Sequence, residues 1–476
     1  MTRSRTPGFV LATVVVFGAV FLTIGLGIVG YLLTMQRAEE DRINGEQAFD
    51  IAEAGLNYYA WHLYHFPTDL KDGTGGSGPY VHEYQDPEGG TAGTFSLSIN
   101  GNLQCNSPTV IDITSTGATA GDPTLTSSVF GRYAQESVAN YAYITNVPIW
   151  FGSSSTVYGR VLSNSGVRMD GSNLSEVESA VSSWTCTSSY GCSSNTNEPG
   201  VFGTGGNPAL WVYPVPQVSF GNISVNLSSI KTAAKSDGGL YFPQASGSAN
   251  QRGYHLIFNA NGTVDVYQVT ATTPVWSYSN ANGWAQEYNI IASQTYLGNY
   301  TIPSSCSAIF VEDRAWIEGT LKGKVTVAAA DLTGDGGANP DIILPNNITY
   351  AAYDGSDGLT AIAEGNVLIP LNSPDQMTVH GIFVAQNGEF GRNFYYYQNG
   401  GQDSVPSQYA SDVLRTSLTA IGSFVYDEQG GVAWGSPVTS GYQTRSYSYD
   451  GTLANDPPPF TPYASSQYNI ILWRQE

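Results

Sequence analysis

The sequence predicts an α+β fold that is mostly β: one long N-terminal helix followed by a strand-rich body. Three observations point there. Phe9 to Leu33 is an apolar run without a charged side chain. Apolar residues then continue at helical spacing as far as Phe66. The remainder is rich in turn formers, with 54 glycines and 31 tyrosines but only 12% charged residues in the whole chain, which suits short strands joined by tight turns. A hydrophobic content of 41% excludes disorder, and 476 residues allow two or three domains or one elongated β domain.

The apolar run sets the compartment. Its 25 residues span roughly 37 Å as a helix, enough for a bilayer core of about 30 Å. Arg3 and Arg5 precede it, so the positive-inside rule holds that end in the cytoplasm and puts the body outside. A cleaved secretory signal would have a shorter apolar region ending at a small-residue site. Beyond the run, Phe49, Ala52, Leu56, Tyr59, Leu63 and Phe66 recur at steps of three or four before Pro67 stops the helix. A helix from Phe9 to His65 would be roughly 85 Å long, apolar all round in its first half and amphipathic in its second. Such continuity suits a subunit that packs its helix into a filament core.

"RTPGFVLATVVVF" resembles the leader of type IV prepilins, and "QAFDIAEAGLNYYAWHL" resembles the run found in PilX-type pilin-like proteins. The resemblance implies that prepilin peptidase cuts after Gly8 and leaves Phe9 as the methylated N-terminus. It also implies an inner-membrane single-pass protein that meets other pilins through its helix, with its body reaching the cell surface or pilus. Most pilins carry a glutamate five residues after the cut. Here that residue is Thr13, which argues against a major pilin and for a minor one at the filament tip. "SNSGVRMDG", "VEDRAWIEGTLKGKVTVAAA", "DIILPNNITY" and "YSYDGTLANDPPPF" resemble, in that order, segments of the exported half of large PilX-type proteins. That family's body has no settled activity, so the resemblance implies no chemistry.

The organisation expected is a leader over 1–8, a transmembrane and amphipathic helix over 9–66, a linker and pilin-like strands over 67–140, and an exported β-rich body over 141–476. Alternation in "GTFSLSING", "TVIDITSTGA" and "LTSSVFGRYAQES" predicts an antiparallel sheet packed on the helix. After Asn140, apolar triplets separated by Gly, Asn or Asp predict an imperfect β-helix or solenoid from 144–170 and 306–425, with 171–305 as an insertion. A β-sandwich is the alternative. "NDPPPF" cannot continue a ladder and should lie over the body as an extended segment.

Export makes a disulfide the better reading for Cys186 and Cys192, which bracket a short loop, and leaves Cys105 with Cys306 open. The segment "DLTGDGGANPD" sets Asp331, Thr333, Asp335, Asn339 and Asp341 around a Gly turn, which suits a hard cation such as Ca²⁺. The same pattern reads more readily as a surface turn rich in Asp and Gly, and no other cofactor is expected. His62 and His65 sit at the helix end, where the dipole favours a cation, without further metal ligands nearby in sequence. Glu312, Asp313, Glu318, Glu364 and Glu389 fall at turns of the expected solenoid and read as solvated ends. No nucleophile elbow, HExxH or phosphate loop occurs, so no enzyme is expected. A net charge of −21 argues against nucleic acid as a partner. Tyrosine clusters "NFYYYQNGG" and "RSYSYD" suit a surface protein or glycan ligand.

The function expected is therefore a PilX-like minor pilin acting in pilus assembly, attachment or aggregation. Two alternatives share the anchor: a membrane-tethered carbohydrate-active β-helix protein and a type II secretion pseudopilin.

Overall fold

The structure, a computed structural model, describes residues 8–67, 69–105, 107–220, 227–334, 340–454 and 456–476. It has two compact units: residues 1–101, 111–133 and 470–476 in the first, and 102–110 with 134–469 in the second.

The first unit is a helix on a sheet. Helix α1 (Gly8–His65) is continuous, as its uninterrupted apolar and amphipathic pattern requires. Strands β1 (Tyr80–Gln85), β2 (Thr91–Gln104), β3 (Ser107–Thr119) and β4 (Thr126–Ser137) form a sheet in chain order, completed by the C-terminal strand Tyr463–Gln475. The expected strands are present, and β1 adds one inside the segment expected as linker. From Ala48 to Leu63 the helix buries Ala48, Ile51, Ala52, Leu56, Tyr59 and Leu63. Facing them are Phe95 and Leu97 of β2, Ile111 and Ile113 of β3, and Tyr133 of β4, all buried. The Tyr133 hydroxyl donates to the Leu56 carbonyl at 2.8 Å. Phe66, expected on this face, is instead 54% exposed beyond the helix end.

Glycines set the helix-to-sheet distance. A Cβ on Gly117 would lie 2.1 Å from the Ala48 carbonyl oxygen and 2.5 Å from the Ala52 nitrogen. A Cβ on Gly55, the glycine of the AEAGL run, would lie 2.2 Å from Ser115 Oγ and 2.9 Å from Phe95. Helix backbone therefore rests almost directly on strand backbone, which only glycine allows. On the C-terminal strand, Trp473 meets Phe49 edge-on at 6.2 Å and the Arg474 guanidinium lies over Phe130 at 4.4 Å.

The second unit stacks parallel strands. One ladder runs through Leu240–Phe242, Ala308–Val311, Lys324–Ala329, Gly358–Ala363, Gln376–Ala385 and Leu414–Tyr426. It continues without a break through Tyr141–Thr145, Arg160–Ser163, Val177–Ser179 and Trp211–Val212. Chain order and spatial order thus differ. The chain enters mid-stack at Tyr141, runs to one end, and returns from the other until Phe424 pairs with Tyr143. Phe383, Phe424 and Tyr143 occupy one register across this join, with ring centroids 5.7 and 5.2 Å apart. A second parallel ladder links Leu414–Tyr426, Ser440–Ser448, Ser155–Tyr158 and Ser172–Asn173. These ladders are parallel, unlike the antiparallel sheets of a sandwich, and their inward residues are the Val, Ile, Ala and Phe of one continuous core.

Coils run further than the sequence suggested. Ser172–Asn173, Val177–Ser179, Val201–Phe202 and Trp211–Val212 all pair in parallel within the segment expected as insertion. These strands have two or three residues each, too few for alternation to register. The excursion is narrower: Gly253–Asn259, Thr263–Ser279 and Gly283–Thr301 pair antiparallel. The proline segment lies over the strands, with Pro457, Pro458 and Pro459 buried and Thr326 donating to the Pro459 carbonyl, but it ends in a turn at Phe460, whose φ is 58°, and is not extended throughout.

Candidate functional site

From Phe9 to Leu33 helix α1 is almost entirely exposed: Phe9 at 79%, Phe21 at 72%, Leu33 at 53%. It is long and apolar enough to cross a membrane. A row of apolar side chains this complete is stable only against lipid or other apolar helices. Its polar atoms are closed within the helix: the hydroxyls of Thr13, Thr23 and Thr34 donate to the carbonyls of Phe9, Val20 and Tyr31 at 2.8, 2.9 and 2.7 Å. Thr13 thus offers no charge to a neighbour. Along the helix charges begin at Arg37, and just beyond it Arg42 pairs with Glu39 and Glu46, each at 2.6 Å. Gly8 opens the helix beside Phe9, and residues 1–7 lie outside the described residues.

Other residues singled out by sequence are placed as follows. Cys186 is bonded to Cys192 and Cys105 to Cys306. Asp331 Oδ1 accepts from Thr333 Oγ1 at 2.8 Å and from the Gly334 amide at 3.1 Å, closing a turn. Asp341 is half-buried, and its Oδ1 accepts from the Asn366 amide and side chain at 2.8 and 3.0 Å. Burial pushes its carboxyl above the usual range. Asp335 and Asn339 lie outside the described residues. Among the described residues no group of three or more His, Cys, Asp or Glu is placed to hold a metal. His62 Nε2 lies 3.1 Å from Asp69 Oδ2, and His65 Nδ1 2.8 Å from the Trp61 carbonyl. Both histidines thereby fasten the helix end.

Turn carboxylates are mostly paired: Glu312 with Lys231 and Tyr241, Asp313 with Arg252 at 3.0 Å, Glu318 with His255 at 2.8 Å. Glu389 differs. It is buried, and burial pushes its carboxyl up to about 8, with Glu428, Asp341 and Glu287 adding to the rise. Of the tyrosine clusters, Tyr395 and Tyr447 are core, whereas Tyr396, Tyr397 and Tyr449 are exposed.

The sequence reading passed over one feature. A third ladder runs along the stack through Ile342–Ile343, Val367–Leu368 and Phe390–Gly391, and the Arg392 amide extends it to the Gly431 carbonyl at 2.8 Å. It resumes as Ile149–Phe151, Val167–Met169 and Val201–Phe202. Between 429–435 and Ile149–Phe151 no backbone hydrogen bond occurs among the described residues, and Ile149–Phe151 is a sheet edge. No sequence signal marks this opening, because its walls come from segments about 280 residues apart.

No protein-family model matches the chain, and no curated protein does. Among solved structures, the competence-associated pilin ComZ from Thermus thermophilus superposes over 91% of this chain and 97% of its own, with 12% identity and a TM-score of 0.29. A likeness this slight decides neither fold nor function.

Proposed function

We propose that the chain is a minor pilin-like subunit of a type IV pilus or related filament, anchored in the inner membrane until assembly. It is a structural protein and not an enzyme. One observation supports this above all. An exposed 25-residue apolar helix passes without interruption into a helix seated by glycines on an antiparallel sheet. An ordinary membrane anchor needs no such rigid continuity, whereas a filament subunit transmits its helix packing to its head through it.

Processing tests the reading. Prepilin peptidase should remove residues 1–8 and leave Phe9 as the first residue. Gly8→Val should block the cut, because a branched side chain replaces the hydrogen of the expected cleavage residue. Intact-mass measurement on the membrane-extracted chain should give the shortened form for the wild type and the full precursor for Gly8→Val. An intact Met1 form in assembled filaments would contradict the proposal.

A further inference from the structure

The opening in the third ladder sits at the join between the two halves of the stack, where the other two ladders close. Clefts of 430 Å³ and 330 Å³ flank it, both lined by Ile149, Trp150, Gly430, Gly431, Ala433 and Gly435. These volumes are in the range of small-ligand sites. We propose that this opening binds a neutral oligosaccharide. The site stands on its own geometry, and only its use in attachment rests on the filament reading.

Its chemistry favours sugar. Trp150 is 40% exposed and its indole is held in place, since Nε1 donates to Asp170 Oδ2 at 2.9 Å and the Arg168 guanidinium lies over the ring at 4.9 Å. Trp434 is fixed likewise by its bond to the Arg392 carbonyl at 2.8 Å. Trp434, Phe394, Trp284 and Tyr278 then form a closed ring of four aromatic contacts, with centroids 5.8 to 6.1 Å apart, and all four remain partly exposed. Rigid aromatic faces cover the C–H faces of a pyranose at little entropic cost. Of that ring Trp434 itself lines a cleft, and beside it and Trp150 the walls present Ser153, Ser154, Ser189, Asn280 and Gln429 with glycine backbone, which match sugar hydroxyls.

Charge narrows the ligand. Among the described residues Arg445 is the one charged side chain lining either cleft, and it donates to Ser154 Oγ and the carbonyls of Tyr442 and Gln443. A polyanion would find no cluster of cations here. Strand addition by a peptide is disfavoured because the free edge is three residues long, with Pro148 before it and Gly152 after it. No carboxylate lines the clefts among the described residues, so the site is built to hold a sugar and not to cleave it.

The test is isothermal titration calorimetry of the full chain, in a sugar-free detergent, with cellotetraose, tetra-N-acetylchitotetraose, maltotetraose and mannotetraose. At least one should bind saturably. Trp150→Ala should weaken it about tenfold by removing a stacking face. Ser153→Tyr, at an exposed position in the mouth, should weaken it as much by filling the space, and it decides the matter should Trp150→Ala fail to fold. The proposal is overturned if none of the four sugars binds at concentrations on the order of 10 mM. It is equally overturned if binding survives Ser153→Tyr unchanged, since the sugar would then sit elsewhere.

Discussion

Replacing Gly117 with alanine should destabilise the helix–sheet unit by about 3 kcal/mol, the upper range for overpacking a core. The added carbon would meet the Ala48 carbonyl oxygen at 2.1 Å and the Ala52 nitrogen at 2.5 Å, and both are helix backbone that cannot rotate away. The helix must lift, and Leu56 and Leu63 lose their contacts with the sheet. Gly45→Ala is the control on the same helix, because its nearest neighbour would be Leu125 Cδ2 at 3.9 Å. That substitution should stabilise by up to about 1 kcal/mol through helix propensity alone. Amide exchange across residues 48–63 reads both effects: faster in Gly117→Ala, equal or slower in Gly45→Ala. Unchanged protection in Gly117→Ala would show that helix and sheet are not seated as described.

The second large effect is a stability that declines as pH rises. Glu389 has an ordinary value of 4.5 and is pushed up to about 8 in the fold. Below the ordinary value both folded and unfolded chains carry the proton, and the favourable neutral burial is fully retained. Between the two values the unfolded chain ionises while the folded chain holds its proton, so folding loses free energy as pH rises through that window. The loss reaches about 4 kcal/mol at pH 8, on the order of 1.4 kcal/mol per unit of the shift. Burial raises Glu287 and Asp341 too, which adds the same sign. Glu389→Gln cannot ionise, so it should match the wild type near pH 4.5 and exceed it at pH 8. Denaturant midpoints at the two pH values check this. A wild type that grows more stable from pH 5 to pH 8, or a variant with no gain at pH 8, would contradict it.

What the sequence made legible follows from the length of each pattern. The helix shows apolar residues over dozens of positions, and β2 to β4 alternate over twelve to fourteen, so period alone identifies them. In the stack, Ala308–Val311, Lys324–Ala329 and Gly358–Ala363 were legible as short apolar runs between turns. Val201–Phe202 and Trp211–Val212 were not, because two residues have no period. Nothing local announces that Phe424 pairs with Tyr143, since register between distant segments is decided by the whole core. The same limit hid the opening at Trp150, a gap between two segments that are each unremarkable in sequence. Asp341 shows the converse. Its spacing from Asp331 suggested a shared cation, and its bonds to the Asn366 amide and side chain were not legible, because that partner lies 25 residues on.

We propose a terminal placement in the filament, on two grounds. Thr13 closes its hydroxyl on the Phe9 carbonyl and presents no carboxylate to a neighbour's amine. Helices stacked about 10 Å apart leave little lateral room for a body built from residues 134–469. A terminal subunit escapes both constraints, because nothing is stacked beyond it. Immunogold labelling of shear-released filaments with antibody against the body tests this most directly. The account predicts a few gold particles confined to one filament end. Label spread evenly along the shaft would refute the terminal placement, and filaments wholly without label would refute the reading of the chain as a filament subunit.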